Sequence, residues 1–563
     1  MEIKPVIYQL FPRLFTNTCA TPVAGGTIEQ NGAGKMNHIT SHVLGALKTL
    51  GVTHVWYTGV IEHATKTSYA AHGIAPCNPH VVKGNAGSPY AIIDYYDVDP
   101  DIAEDVERRN EELDALVART HEAGLKVVLD FVPNHVAREY HSDRKPAGTQ
   151  DLGEDDDTSL AFSSHNNFYY LPGQEFTPHI DLGSGEQRYL EFPARATGND
   201  CFHASPGVND WYETIKLNYG VDYTGGSGCH FSPTPRTWHM MLDILLHWAG
   251  RGVDAFRCDM VHMVPVEFWH YAIGEVKRQY PHVVFIAELY DTGLYHRYIH
   301  EGGFDYLYNK VTLYDTLRAV INGHAAARDI TRCWQLLEGV EDHMLNFLEN
   351  HDEQRIASPQ FAGDAFKALP ALVVSATMSR CPFMIYAGQE LGESAPDAEG
   401  FSGHDGRTTI FDYWSVGTLR RWYNKGKCDT SRLTAAERRL RKAYKRVLNL
   451  CNSEAAIAQG TFFDLMYVNE TTLNPHRHFA YLRHHDKDLL LVVANFDDAP
   501  CHAGVNIPAH AFDFLHIKPG KCVAKELLHG DSKVATLTPR EAFTVDVEPH
   551  SAVMWKIKIT LKD

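Results

Sequence analysis

Residues 252–260, GVDAFRCDM, read as a short apolar strand entered through a glycine and left through charged groups. Just before it, Trp238, Met241, Leu242, Leu245 and Trp248 recur at helical spacing, so the segment is a helix, a glycine stop and a strand. The same unit is written with Val43, Leu47 and Leu50 before Gly51 and VTHVWYTGV, and with Leu113, Leu116, Val117 and Ala123 before Gly124 and LKVVLDFVPNH. Phe268, Ile273 and Val276 precede HVVFIAEL without the glycine. VIYQLF at the front, FDYLYN in the middle, then MLNFLENHD and CPFMIYAGQE bring the strands to eight. Helices alternating with continuous apolar strands imply a parallel sheet covered by helices. An open doubly wound sheet satisfies the same alternation, but no glycine-rich phosphate loop follows the first strand, so the spacing predicts a (β/α)₈ TIM barrel.

Residues 136–232 interrupt the series after the third strand, far beyond an ordinary βα loop, and predict an inserted lobe over the catalytic face. Thr434 and Glu437 form a capping box opening a helix with Leu440, Ala443, Tyr444 and Val447 on one face. From about 460 short strands follow one another with no helix between them. The expected domains are a catalytic barrel over 1–135 and 233–455, an inserted lobe over 136–232, and a C-terminal antiparallel β-sandwich over 456–563.

The net charge of −18, with no long lysine- or arginine-rich block, argues against nucleic acid as a partner. Eleven cysteines with no CxxC pair predict reduced thiols, with neither a zinc site nor a disulfide framework. No window approaches a membrane span, and the first residues lack the features of a signal peptide, so the expected location is cytoplasmic. No organic cofactor motif is present, and the oligomeric state is not written in the chain.

Four strand ends carry acids: Asp130, Asp259, Glu288 and Asp352. Glycoside hydrolysis needs two carboxyl groups flanking one bond, one ionised to attack and one protonated to release the leaving oxygen. Arg257 and Asp259 are two residues apart on a strand and point to the same side, so the arginine keeps the aspartate ionised. Glu288 ends the next strand among Phe285, Ile286, Ala287 and Leu289, where desolvation should raise its pKa.

DFVPNH at 130–135, GVDAFRCD at 252–259, Glu288 and FLENHD at 347–352 resemble, in order and spacing, the four signature strand ends of the α-amylase superfamily, glycoside hydrolase family thirteen. YQLFPRLF, TIKLN at 214–218 and YAGQELGE at 386–393 extend the resemblance over the chain. It implies Asp259 as nucleophile, Glu288 as acid/base and Asp352 as transition-state stabiliser. It further implies that Tyr90, His135, Arg257 and His351 bind the sugar, and it matches Asn134 to a common calcium ligand, which makes calcium the one cofactor in view. The implied function is retaining hydrolysis of α-1,4-glucosidic bonds in starch, glycogen or maltooligosaccharides. An α-glucan transglycosylase or trehalose-forming enzyme would use the same acids; a catalytically dead glucan-binding module would have lost one of them. Pro89-Tyr90-Ala91 replaces the family's Gly-Tyr-Asp, and His262-Met263 replaces the Lys-His that many α-amylases carry beyond the nucleophile. Asp130 reads as structural, tying Arg257 or a neighbouring strand end in place, and the run Glu154–Asp157 as a solvated loop, with calcium binding the lesser reading. The basic run Arg438–Arg446 reads as the wet face of its helix. Trp211, Tyr212 and Tyr219 are open to two readings, sugar platforms or packing.

Overall fold

The computed structural model describes residues 4–399 and 403–562. Eight parallel strands close into a barrel: β1 (Val6–Leu10), β2 (His54–Tyr57), β3 (Lys126–Phe131), β4 (Ala255–Cys258), β5 (Val284–Ala287), β6 (Tyr306–Tyr308), β7 (Met344–Phe347) and β8 (Phe383–Tyr386). These are the eight segments the sequence marks out. Each pairs with its sequential neighbour, and β1 pairs with β8 to close the ring. The helices that lead into β2, β3, β4 and β5 are α1 (Ser41–Leu50), α2 (Arg109–Glu122), α3 (Arg236–Gly250) and α4 (Val266–Gln279). Gly51, at the end of α1, takes φ +112°, a left-handed conformation that ends the helix at little steric cost.

Register decides which side chains meet. Arg257 on β4 lies opposite Asp130 on β3, and strand-like pairing continues past both strand ends: the Asp259 amide donates to Phe131 O (2.9 Å) and the Glu288 amide to Cys258 O (3.0 Å). The two carboxyl-bearing residues are therefore fixed by backbone hydrogen bonds and not by mobile loops.

Two excursions cover the C-terminal strand ends. One, between β2 and α2, contains an antiparallel ladder of Ile61–His63 with Ile92–Val98, which the sequence reading did not separate from loop. The other is the inserted region, whose His135–Ala137 strand pairs with Thr214–Lys216. It is tied back to the barrel where Leu217 N donates to Asn134 O (2.9 Å) and Tyr219 Oη to Pro133 O (2.6 Å). Tyr219 is thus packing, 3% exposed. Asp156, in the acid run expected to be solvated, is a buried anchor: it accepts from the amides of Asn167 and Phe168, from Tyr170 Oη and from Arg236 on α3.

Beyond β8, the capping box at Thr434 and Glu437 opens α5 (Ala435–Ser453). The C-terminal domain has one six-stranded antiparallel sheet and two separate two-stranded ladders, Cys501–Val505 with Phe543–Val547 and Ile517–Lys518 with Thr560–Leu561, in place of the two comparable sheets of a sandwich. All eleven cysteines are unpaired. Among the described residues no helix is long and apolar enough to cross a membrane.

Candidate active site

Arg257 is the centre of the site. It is 1% exposed, and its Nη1 reaches Asp259 Oδ1 (2.9 Å) and Asp130 Oδ1 (3.3 Å), while Nη2 lies 2.8 Å from Glu288 Oε2. Its Nε donates to Tyr308 Oη at the end of β6 (3.2 Å). One planar cation thus gathers acids from three successive strand ends, which a guanidinium's fixed fork of donors suits. Asp130 also accepts from Trp56 Nε1 (2.8 Å), so it is held on β3 as a structural tie.

Glu288 receives more donors than Asp259. Besides the ion pair with Arg257, the Met260 amide donates to its Oε2 (3.0 Å) and Tyr290 Oη to its Oε1 (2.6 Å). Burial alone would raise Glu288, but Arg257, the Tyr290 hydroxyl and the Met260 amide outweigh it and hold it below the usual range. Asp259 is driven up by burial and then by the charge of Glu288, against Arg257. The apolar strand around Glu288 led us to expect the opposite order. It fails because one cation and two hydrogen-bond donors, only one of the three on β5's own continuation, converge on that carboxylate.

Asp352 sits beyond β7 with its side chain 45% exposed, facing the opening, while His351 beside it is buried. Desolvation, then Glu288, pushes Asp352 up to about 7. His351 Nδ1 accepts from Gln9 Nε2 on β1 (2.8 Å), which leaves the ring proton on Nε2, within 2.6 Å of Tyr90 Oη and 3.1 Å of Asp352 Oδ2. Tyr90 stacks on the His351 ring at 5.2 Å and 24° and lies over Arg257. His135 is buried, with its Nδ1 3.2 Å from Asn134 Nδ2 and Trp211 against its ring at 5.2 Å. Burial drives both histidines down, His135 to about 3 and His351 well below the usual range, so both are neutral at ordinary pH.

Tyr90, Arg257, Asp259, Glu288, His351 and Asp352 therefore meet in one cluster, and His135 reaches it at the Tyr90 backbone. Asn134 is beside it but does not fit a calcium ion. Its Oδ1 accepts from Lys216 Nζ (2.5 Å), its Nδ2 donates to Gly198 O (2.7 Å), and the site holds one carboxylate, Asp200, where calcium takes six to eight oxygens. A second group of acids joins Glu62, Asp94 and Asp97 of the first excursion to Asp143 of the inserted region; Asp97 is taken up by Arg109, and Asp94 by Ser142 and three amides. The residues missed from sequence are Gln9, Trp56, Tyr290, Tyr308 and Lys216. Gln9 and Trp56 lie on strand ends where period-two alternation could have flagged them. Nothing distinguished Tyr290 from a packing aromatic.

Eight parallel strands with paired carboxyl groups at their C-terminal ends define a (β/α)₈ barrel of the two-carboxylate type. The chain belongs to the α-amylase family, whose model "Alpha amylase, catalytic domain" matches residues 9–171 and 233–412. The unmatched interval falls in the inserted region. A Bacillus cyclomaltodextrinase is 23% identical over 513 residues, 88% of this chain and 73% of that protein. Maltase 1 of Drosophila virilis is 26% identical over 46% of this chain and 31% of that protein. A maltogenic α-amylase from Thermotoga neapolitana superposes with a TM-score of 0.63 at 17% identity, covering 99% of both chains. An acarbose-complexed α-amylase from Geobacillus thermoleovorans gives 0.64 at 17% identity, covering 99% of this chain and 98% of that one.

Proposed function

We propose that this protein is a retaining α-glycoside hydrolase that cleaves α-1,4-glucosidic bonds of maltooligosaccharides by double displacement. The observation that carries the reading is Arg257, whose two terminal nitrogens hold Asp259 and Glu288 side by side with Asp352 at the opening. Asp259 attacks the anomeric carbon; Glu288 protonates the leaving oxygen and then activates water; Asp352 and the His351 Nε2–H bind the sugar hydroxyls as charge develops. The pair shares one proton. The productive arrangement has it on Glu288, turned towards the leaving oxygen, and leaves Asp259 ionised on Arg257. The cyclomaltodextrinase and maltogenic amylase relatives support small maltodextrins, before starch or glycogen, as substrates.

Incubation with maltooligosaccharides, followed by proton NMR, should show α-anomers released first, and Asp259→Asn should abolish their release. First-formed β-anomers would overturn the double displacement. Transfer products with no net hydrolysis would assign the chain to the transglycosylases of the family.

A further inference from the structure

The cation expected beside Asn134 is already present as part of the chain. Lys216 is 1% exposed, and its ammonium has three oxygens around it: Asn134 Oδ1 (2.5 Å), Asp200 Oδ1 (2.5 Å) and Met263 O (3.3 Å). An ammonium has three N–H groups, so these acceptors use all of them. The Tyr223 ring covers another side, its centroid 5.6 Å from Nζ. The oxygens come from separate parts of the fold. Asn134 follows β3 and Met263 follows β4, both in the barrel, whereas Asp200 and Lys216 belong to the inserted region. Burial lowers the Lys216 pKa, and the neighbouring Asp200 charge opposes that. A divalent ion entering this site would meet a positive charge within hydrogen-bonding distance of the same oxygens.

We propose that Lys216 is a built-in substitute for a metal ion: its ammonium ties the inserted lobe to the barrel, so this chain needs no calcium there. The idea does not depend on the reaction the protein catalyses, because it concerns what holds two parts of the chain together.

The test is thermal. The wild-type melting temperature should be the same in excess EDTA and in millimolar calcium chloride, and elemental analysis should find no bound calcium. Lys216→Met removes the charge but keeps an unbranched stem, and should lower the melting temperature by several degrees with no response to calcium. Lys216→Asp exchanges the internal cation for a second carboxylate beside Asp200. It should melt lowest in EDTA and recover on adding calcium, with one ion bound per chain by calorimetry. A wild-type protein destabilised by EDTA overturns the proposal, as does Lys216→Met with an unchanged melting temperature. Should Lys216→Asp fail to fold, these two measurements decide the matter alone.

Discussion

At the scale of single residues, Tyr290 is the group whose contribution can be isolated most cleanly. Its hydroxyl donates to Glu288 Oε1 at 2.6 Å and favours the ionised carboxyl. Tyr290→Phe removes that donor and leaves the ring, so the Glu288 pKa should rise. Since the first step needs Glu288 protonated, the alkaline limb of the kcat/KM profile should move to higher pH by about one unit, the worth of one hydrogen bond to a charge. An unmoved limb would remove Tyr290 from control of the proton. Alternation by two along β4 was enough to place Arg257 and Asp259 on one side from sequence. The donors that set the proton's place were not legible: Tyr290 lies past the end of its strand, and the Met260 amide belongs to the backbone. His351 was legible as a motif residue. Its tautomer was not, because it depends on Gln9, 342 positions away.

At the scale of elements, the barrel and the inserted region were legible to different degrees for a physical reason. A strand or helix backed by a core repeats its apolar spacing, and α3 and β4 could be drawn from that spacing alone. The inserted region is built from strands of two or three residues, too short to show a period, and is held by buried charges. Glu191 is the chief of these. Arg138 Nη1 and Arg195 Nη2 donate to it at 2.8 Å each, and the Arg138 guanidinium lies over Phe176. Burial would raise Glu191, but the two arginines outweigh it and hold it at about 2, against an ordinary 4.5. The folded value is the lower one, so its contribution to stability is complete above the unfolded pKa. It is lost as pH falls from there towards 2, a difference on the order of 3 kcal/mol. Glu191→Gln leaves Arg138 buried beside a neutral amide and should destabilise the protein by about 3–5 kcal/mol at neutral pH. It should also flatten the acid side of the melting-temperature profile. A variant whose acid side matched the wild type would show that other carboxylates govern acid unfolding.

At the scale of the whole molecule, the barrel and the C-terminal domain are joined through the helix Leu369–Thr377 between β7 and β8. Every residue from Pro370 to Thr377 is buried, because the barrel lies on one side and the strands Asp488–Asn495 and Ser551–Lys558 of the C-terminal sheet lie on the other. The change of period near 460 announced a β-domain in the sequence, but which barrel helix it covers depends on residues over a hundred positions apart. At the C-terminal end of this helix stands Arg483, a buried cation with carbonyl partners: Nε to Ala456 O (3.0 Å), Nη1 to Met378 O (3.0 Å) and Nη2 to Ile457 O (2.9 Å). Burial pulls its pKa down to about 10, still high enough to keep it charged at neutral pH. Lys4 Nζ reinforces the same helix end through Ala376 O (2.6 Å) and Ser379 O (2.7 Å), placing positive charge where the helix dipole is negative. Arg483→Met would strand three carbonyls while relieving the guanidinium's desolvation, for a net loss of about 3 kcal/mol. Because Met378 and Ser379 precede β8, this joint lies at the N-terminal face of the barrel, away from the carboxyl groups at the strand ends. The variant should therefore melt lower yet turn over at the wild-type rate at temperatures where it remains folded. Arg483→Lys, which keeps the charge but loses the fork, should fall between the two in stability. Thermal melts and initial rates on the same samples separate the outcomes: an unchanged melting temperature would mean that the three carbonyls are satisfied without the guanidinium, and a rate that fell at constant fold would tie this joint to the site across the barrel.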